Sequence, residues 1–159
     1  MSDMTQVQPI KKKRAFRQKW NEISACYDEA ATQLHSLGSS GGAQPHVERL
    51  RALLDSVPGV DQAILGESAR ALIAEFEGNW VTAARHRNQE VQLILRLYQS
   101  LASVPDPEVR EFALQGRHKP QVLSELAAAK NFYQTHAGQD SVQALQKAID
   151  LLGNSSEPV

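Results

Sequence analysis

The stretch Ala71-Leu72-Ile73-Ala74-Glu75-Phe76-Glu77-Gly78-Asn79-Trp80-Val81-Thr82-Ala83 decides how this chain folds. Before the glycine, Leu65, Ala69, Leu72 and Phe76 recur at helical spacing. After it, Trp80, Ala83, Ala84, Val91, Ile94, Tyr98 and Leu101 do the same. Gly78 itself is the residue type that most easily takes the left-handed conformation at which helices end. A glycine that stops one amphipathic helix, followed at once by an aromatic and small residues that open the next, predicts a tight antiparallel helical hairpin.

Upstream, Phe16, Trp20, Ile23, Tyr27, Ala30, Leu34 and Leu37 are spaced alternately by four and three residues, a heptad seam that predicts a helix from about Arg14 to Leu37. The favoured reading packs this seam on the chain's own helices. The alternative zips Phe16, Trp20, Ile23, Tyr27 and Leu34 against a second copy as a homodimer. Gly38-Ser39-Ser40-Gly41-Gly42 predicts a flexible joint over 38–44, and Pro45 then suits the first turn of a helix carrying Val47, Leu50, Leu54 and Val57. Pro58-Gly59 stops that helix.

Downstream, Asp106 can cap, Pro107 fits a first helical position and Glu108 complements the dipole of a short helix with Val109, Phe112 and Ala113 that ends near Gly116. Pro120 opens a helix with Val122, Leu126, Ala129 and Tyr133. Gly138 closes it, and Asp140 or Ser141 caps a last helix with Val142, Leu145, Ile149 and Leu152. The β-branched residues fall on helical periods, and nothing alternates as a strand does. The expectation is an all-α fold of six or seven helices in antiparallel hairpins: one domain over 14–152, with a disordered basic arm at 1–13 and a disordered tail at 153–159.

Composition narrows the function classes. With 42% hydrophobic and 22% charged residues, the chain reads as soluble and globular. Its apolar runs are far shorter than the roughly 20 residues that cross a bilayer, so no membrane span is expected. The basic run at Lys11 leads into Phe16-Arg17-Gln18-Lys19 rather than an apolar core, so no secretory signal is expected either. The one cysteine, Cys26, excludes an internal disulfide and points to a reducing compartment: cytoplasmic, or nuclear where the cell has a nucleus. Next to Tyr27 and followed by Asp28 and Glu29, it reads as an inert packing residue.

Arg85-His86-Arg87-Asn88 is the densest polar group on an otherwise apolar helix. Two guanidiniums and an imidazole suit a carboxylate or phosphate, which arginine forks bind bidentately. The competing reading is a solvated face paired locally with Glu90 and, across the hairpin, with Glu75 or Glu77. His86 and Glu90 supply two metal ligands at most, where a catalytic zinc normally takes three from the protein, so no metal and no cofactor are expected. His35, His46, His118 and His136 fall near helix ends or loops, where a histidine mostly serves the helix terminus or solvent. No phosphate loop, nucleophile elbow or dinucleotide fingerprint is present, and the expectation is that the protein is not an enzyme.

Charge is uneven. Residues 1–20 hold six cations against Asp3, which leaves about −6 on the rest of a chain whose net charge is −1. Lys11, Lys12, Lys13, Arg14, Arg17 and Lys19 are therefore candidates for contact with a nucleic acid or another anionic partner, weak and strongly salt-dependent because the body is acidic.

The segment around Gly78 resembles the tetratricopeptide-like repeat. Small residues recur on its first helix, Gly78 closes that helix, Trp80 follows two positions later, and Ala83 lies three beyond. The resemblance covers about one repeat at 67–101. A poorer second at 120–152 has Gly138 after Phe132 and Tyr133, then Ala144 and Ala148. Arg70 and Arg87 depart from the pattern, standing where it is normally apolar. The resemblance implies a short helical array that recognises a peptide or partner protein without a cofactor. The resulting expectation is a non-catalytic adaptor that contacts a protein partner through Arg70, Arg85, His86, Arg87 and Asn88. The alternative is a nucleic-acid accessory protein using the arm. Below it ranks a small helical enzyme or ligand carrier with a pocket near His86.

Overall fold

Gly78 takes the left-handed conformation, with φ at +76°, and closes the expected hairpin. Its N–H donates to the Glu75 carbonyl at 3.2 Å, and the Asn79 N–H donates to the Ala74 carbonyl at 2.8 Å. These bonds satisfy carbonyls that a helix end otherwise leaves without an intrahelical partner, and they reverse the chain within two residues.

The computed structural model describes residues 18–57 and 63–157. Over them the chain forms α1 (18–31), continued by a π-helical turn (Thr32–Ser36), then α2 (Ser40–Ser56), α3 (Ile64–Glu77), α4 (Trp80–Leu101), α5 (Pro107–Leu114), α6 (Lys119–His136) and α7 (Gln139–Gly153). There is no strand among the described residues, and the fold is all-α. The α3–α4 hairpin is its centre. Helix α4 packs along α3 and along α7, α2 lies on α3, and α6 joins α7 to the end of α1. The apolar stripes read from the sequence meet there: Leu72, Val91, Ile94, Leu126, Leu145 and Leu152 are fully buried. Each such side chain stabilises the fold by roughly 1.5–3 kcal/mol relative to exposure. The start of α5 forms as its sequence dictates, with the Asp106 carboxylate accepting the Glu108 N–H at 2.9 Å ahead of Pro107. Among the described residues, no helix is long and apolar enough to cross a membrane.

Three expectations are corrected. The joint at 38–44 is mostly helix: Ser39 Oγ caps α2 by accepting the Gly42 N–H at 2.9 Å, and α2 begins at Ser40, which puts Pro45 inside it. Burial of Ala43 and Val47 outweighs the weak helix propensity of the two glycines. The last helix starts at Gln139 after Gly138, one residue before Asp140, and Ser141 is buried within its first turn instead of capping it. Residues 153–157 are not a loose tail. Lys119 Nζ donates to the Ser155 carbonyl at 2.7 Å, and His118 pairs with Glu157. Residues 1–17 and 158–159 lie outside the described residues, and so does the Pro58-Gly59 stop.

The heptad seam packs as the favoured reading has it, on the chain's own helices. Ile23, Tyr27, Ala30 and Leu34 are buried against the chain's own helices. Trp20 is half-buried, and its indole N–H donates to Gln115 Oε1 at 3.0 Å. These residues are therefore withdrawn from a homodimer seam, Phe16 lies outside the described residues, and Leu37 is 64% exposed.

Candidate functional site

The most densely hydrogen-bonded polar cluster among the described residues is buried. Helix α3 presents Ser68 and Glu75, two turns apart and so on one face, while α4 presents Arg87 and Glu90 three residues apart on its facing side. All four are buried. The Arg87 guanidinium grips Glu75 bidentately, Nε to Oε2 at 2.8 Å and Nη2 to Oε1 at 3.0 Å. Its Nη1 donates to the Tyr27 hydroxyl at 2.8 Å and to Glu90 Oε2 at 3.2 Å.

Two more side chains complete Glu75. Tyr133 of α6 donates its hydroxyl to Oε2 at 2.6 Å, and His35 of the π-helical turn meets Oε1 through Nε2 at 2.6 Å. Ser68 donates to Glu90 Oε1 at 2.8 Å, and Arg117 stands 3.9 Å from the same oxygen. Four helical segments are thus tied at one point.

The electrostatics follow from that geometry. Burial alone would push the Glu75 carboxyl up, but Arg87 and then His35 outweigh it and hold the group down at about 2. Burial would strip charge from Arg87 as well. Glu75, Tyr27 and Glu90 reverse the effect and hold the guanidinium well above its ordinary range. The Tyr27 and Tyr133 phenols are pushed up, first by burial and, for Tyr133, next by the Glu75 charge, so both stay neutral. Each Glu75 oxygen already accepts two hydrogen bonds, which fills the capacity of a carboxylate. A group so saturated has no lone pair left for a substrate proton. The cluster is a clamp.

The structure does not bring Arg70, Arg85, His86, Arg87 and Asn88 together. Arg87 points into the core and Arg85 is exposed. His86 Nδ1 pairs with Glu67 of α3 at 2.6 Å, and Arg70 is half-buried on α3. Asn88 Nδ2 bridges two helices, donating to the Ala84 carbonyl at 2.9 Å and the Ala144 carbonyl at 3.1 Å. The alternative of an anion receptor at Arg85-His86-Arg87 is not assembled, because helical geometry sends adjacent residues to different faces. The pairing of Arg87 with Glu75 across the hairpin and with Glu90 does occur, in the interior rather than in solvent.

Of the basic arm, Lys19 is exposed on α1, and Lys11, Lys12, Lys13, Arg14 and Arg17 lie outside the described residues. Cys26 is buried with its thiol donating to the His46 carbonyl at 3.0 Å, and burial pushes that thiol up. Among the described residues, no group of three or more histidines, cysteines and carboxylates is arranged to hold a metal.

His35, expected near a helix end serving the terminus or solvent, has a side chain only 4% exposed and bonded to Glu75. It lines a cleft of about 280 Å³ between α1 and α6, together with Tyr27, Asp28, Thr32, Ser36, Ser124 and Glu125. The π-helical turn that carries His35 is a geometry found mostly as single turns at functional positions. Burial raises the carboxyl groups of Asp28 and Glu125 above their ordinary values, and Arg117 offsets part of that rise. Comparison of the chain with known protein families, curated proteins and solved structures finds no match.

Proposed function

We propose that this protein is a non-catalytic helical scaffold that binds a protein or peptide partner. The observation that carries the reading is the uneven fate of its side chains. Glu75 and Arg87 pair to one another inside, while Leu37, Val81, Val109, Phe112 and Leu151 are large apolar side chains left exposed. The rings of His35, Trp80 and His136 gather around the buried Phe132, with centroids 4.5 to 5.6 Å from it. Leu37, just past the π-helical turn, is 64% exposed, and Val81, in the first turn of α4, is 79% exposed. Large apolar side chains left exposed suit a macromolecular contact better than a small substrate. The two stretches that resemble tetratricopeptide-like repeats fold as the α3–α4 and α6–α7 hairpins, which supports the same reading.

The test is affinity capture with the full chain beside a Leu37→Glu/Val81→Glu variant. Both positions are exposed, so the variant keeps its helix content and its melting temperature within a few degrees. The expected result is a discrete partner recovered in stoichiometric amount with the unaltered chain, and at least tenfold less with the variant. Light scattering identifies the case in which that partner is a second copy. Absence of a stoichiometric partner, or its equal recovery by both forms, overturns the reading.

A further inference from the structure

His118, at the turn between α5 and α6, stands between two acids that belong to different elements. Its Nε2 meets both oxygens of Glu111 on α5, at 2.8 and 3.0 Å, and its Nδ1 meets Glu157 Oε1 beyond the end of α7. A carboxylate only accepts hydrogen bonds, and a neutral imidazole has a single N–H. The ring therefore satisfies both acids only as the imidazolium, which donates from both nitrogens.

The charged groups around it are engaged elsewhere. Arg117 Nη1 turns to Glu125 at 3.3 Å and leans toward Glu90 at 3.9 Å. Lys119 Nζ donates to the Ser155 carbonyl at 2.7 Å, and the Tyr98 hydroxyl of α4 donates to the Arg117 carbonyl at 2.6 Å. Burial, and then the Glu157 charge, push the Tyr98 phenol up, so it stays neutral. The bonds to Glu111 and then Glu157 raise the His118 imidazole above its ordinary value of 6.5.

What the ring joins is otherwise lightly held. Helix α5 buries only Leu114, and no residue of 153–157 is buried. Besides Glu157, that segment reaches α6 through the Lys119 bond. When the ring loses a proton, one N–H remains for two acids. Glu111 is already ordered on a helix, whereas holding Glu157 in place costs the backbone freedom of the whole segment. The remaining N–H goes to Glu111, and the lone pair left on Nδ1 repels Glu157.

We propose that His118 is a latch worked by pH: its imidazolium fastens residues 153–157 to α5 and α6, and the neutral ring keeps Glu111 and lets the segment go. Docking favours the bound proton, so the latch is fully closed below the ordinary value and opens as pH rises through the raised one. The latch goes beyond the scaffold reading and does not depend on it.

NMR of the ¹⁵N-labelled full chain between about pH 5 and about pH 9 tests it, following the His118 ring nitrogens together with backbone order parameters. His118 is expected to titrate with a midpoint above 6.5. At that same midpoint the order parameters of Ser155, Ser156 and Glu157 are expected to fall from about 0.85 to below about 0.6, while those of the α3–α4 hairpin stay constant. His118→Gln is expected to leave the segment below about 0.6 throughout, and Glu157→Gln to lower the His118 midpoint. A midpoint at or below 6.5, order that does not change across it, the same pH curve in His118→Gln, or an unmoved midpoint in Glu157→Gln overturns the latch.

Discussion

Replacing Arg87 by methionine lowers the stability of the protein by about 3–5 kcal/mol, the cost of stranding a buried charge whose partner is gone. The substitution keeps roughly the volume of the side chain but removes the group that bonds both Glu75 oxygens and Glu90. Glu75 is left with Tyr133 and His35, and Glu90 with Ser68 and the distant Arg117. For a chain of this size the melting temperature falls on the order of 10 °C. Urea denaturation with an unchanged slope measures the loss. Adding Glu75→Leu recovers part of it, because an apolar pair of similar volume carries no desolvation cost. Losses that simply add in the double-mutant cycle would show that the two groups do not stabilise one another.

Between pH 5 and pH 2 the protein loses about 3 kcal/mol through Glu75 alone. The carboxyl has an ordinary value of 4.5 and a folded value of about 2, so the folded state binds its proton less readily than the unfolded chain. The stabilisation is therefore complete above the ordinary value and disappears as pH falls through the folded one, at about 1.4 kcal/mol for each unit of separation. Asp28 and Glu125 act in the opposite sense. Their raised values mean that folding favours their protonated forms, so protonation at the upper edge of the carboxylate range adds stability before Glu75 begins to lose it. Denaturant midpoints measured across this range are expected to show a shoulder and then a steep decline. Glu75→Gln removes the steep part, at lower stability near neutrality. An equally steep decline in that variant would place the acid sensitivity elsewhere.

The helices were legible because their apolar residues repeat at helical spacing and because glycine and proline mark their ends. The hairpin at Gly78 and the cap at Asp106 form for the local reasons the sequence displays. The clamp was half legible. Arg87 occupies the stripe formed by Ala83, Val91 and Ile94, and a cation on an apolar stripe is an anomaly that calls for a buried partner. Glu75, three residues after Leu72, was available to answer it, but that stripe reads equally well through Phe76, which lies at the edge of the core. Tyr27, His35 and Tyr133 were not legible, since their approach depends on how distant helices pack. The start of α2 was misread because a serine cap and two buried side chains outweigh glycine content, a balance that no local window displays. The basic arm is legible as composition alone.

The clamp also orders the assembly of the protein. Arg87 and Glu75 stand 12 residues apart on one hairpin, whereas Tyr27 reaches Arg87 across 60 residues and Tyr133 reaches Glu75 across 58. Closing a short loop costs less chain entropy than closing a long one, so the ion pair meets first, while water still surrounds it. The two tyrosines then arrive with the outer helices and expel that water. Full dehydration of the pair therefore depends on the docking of α1 and α6, whose tyrosines close over it.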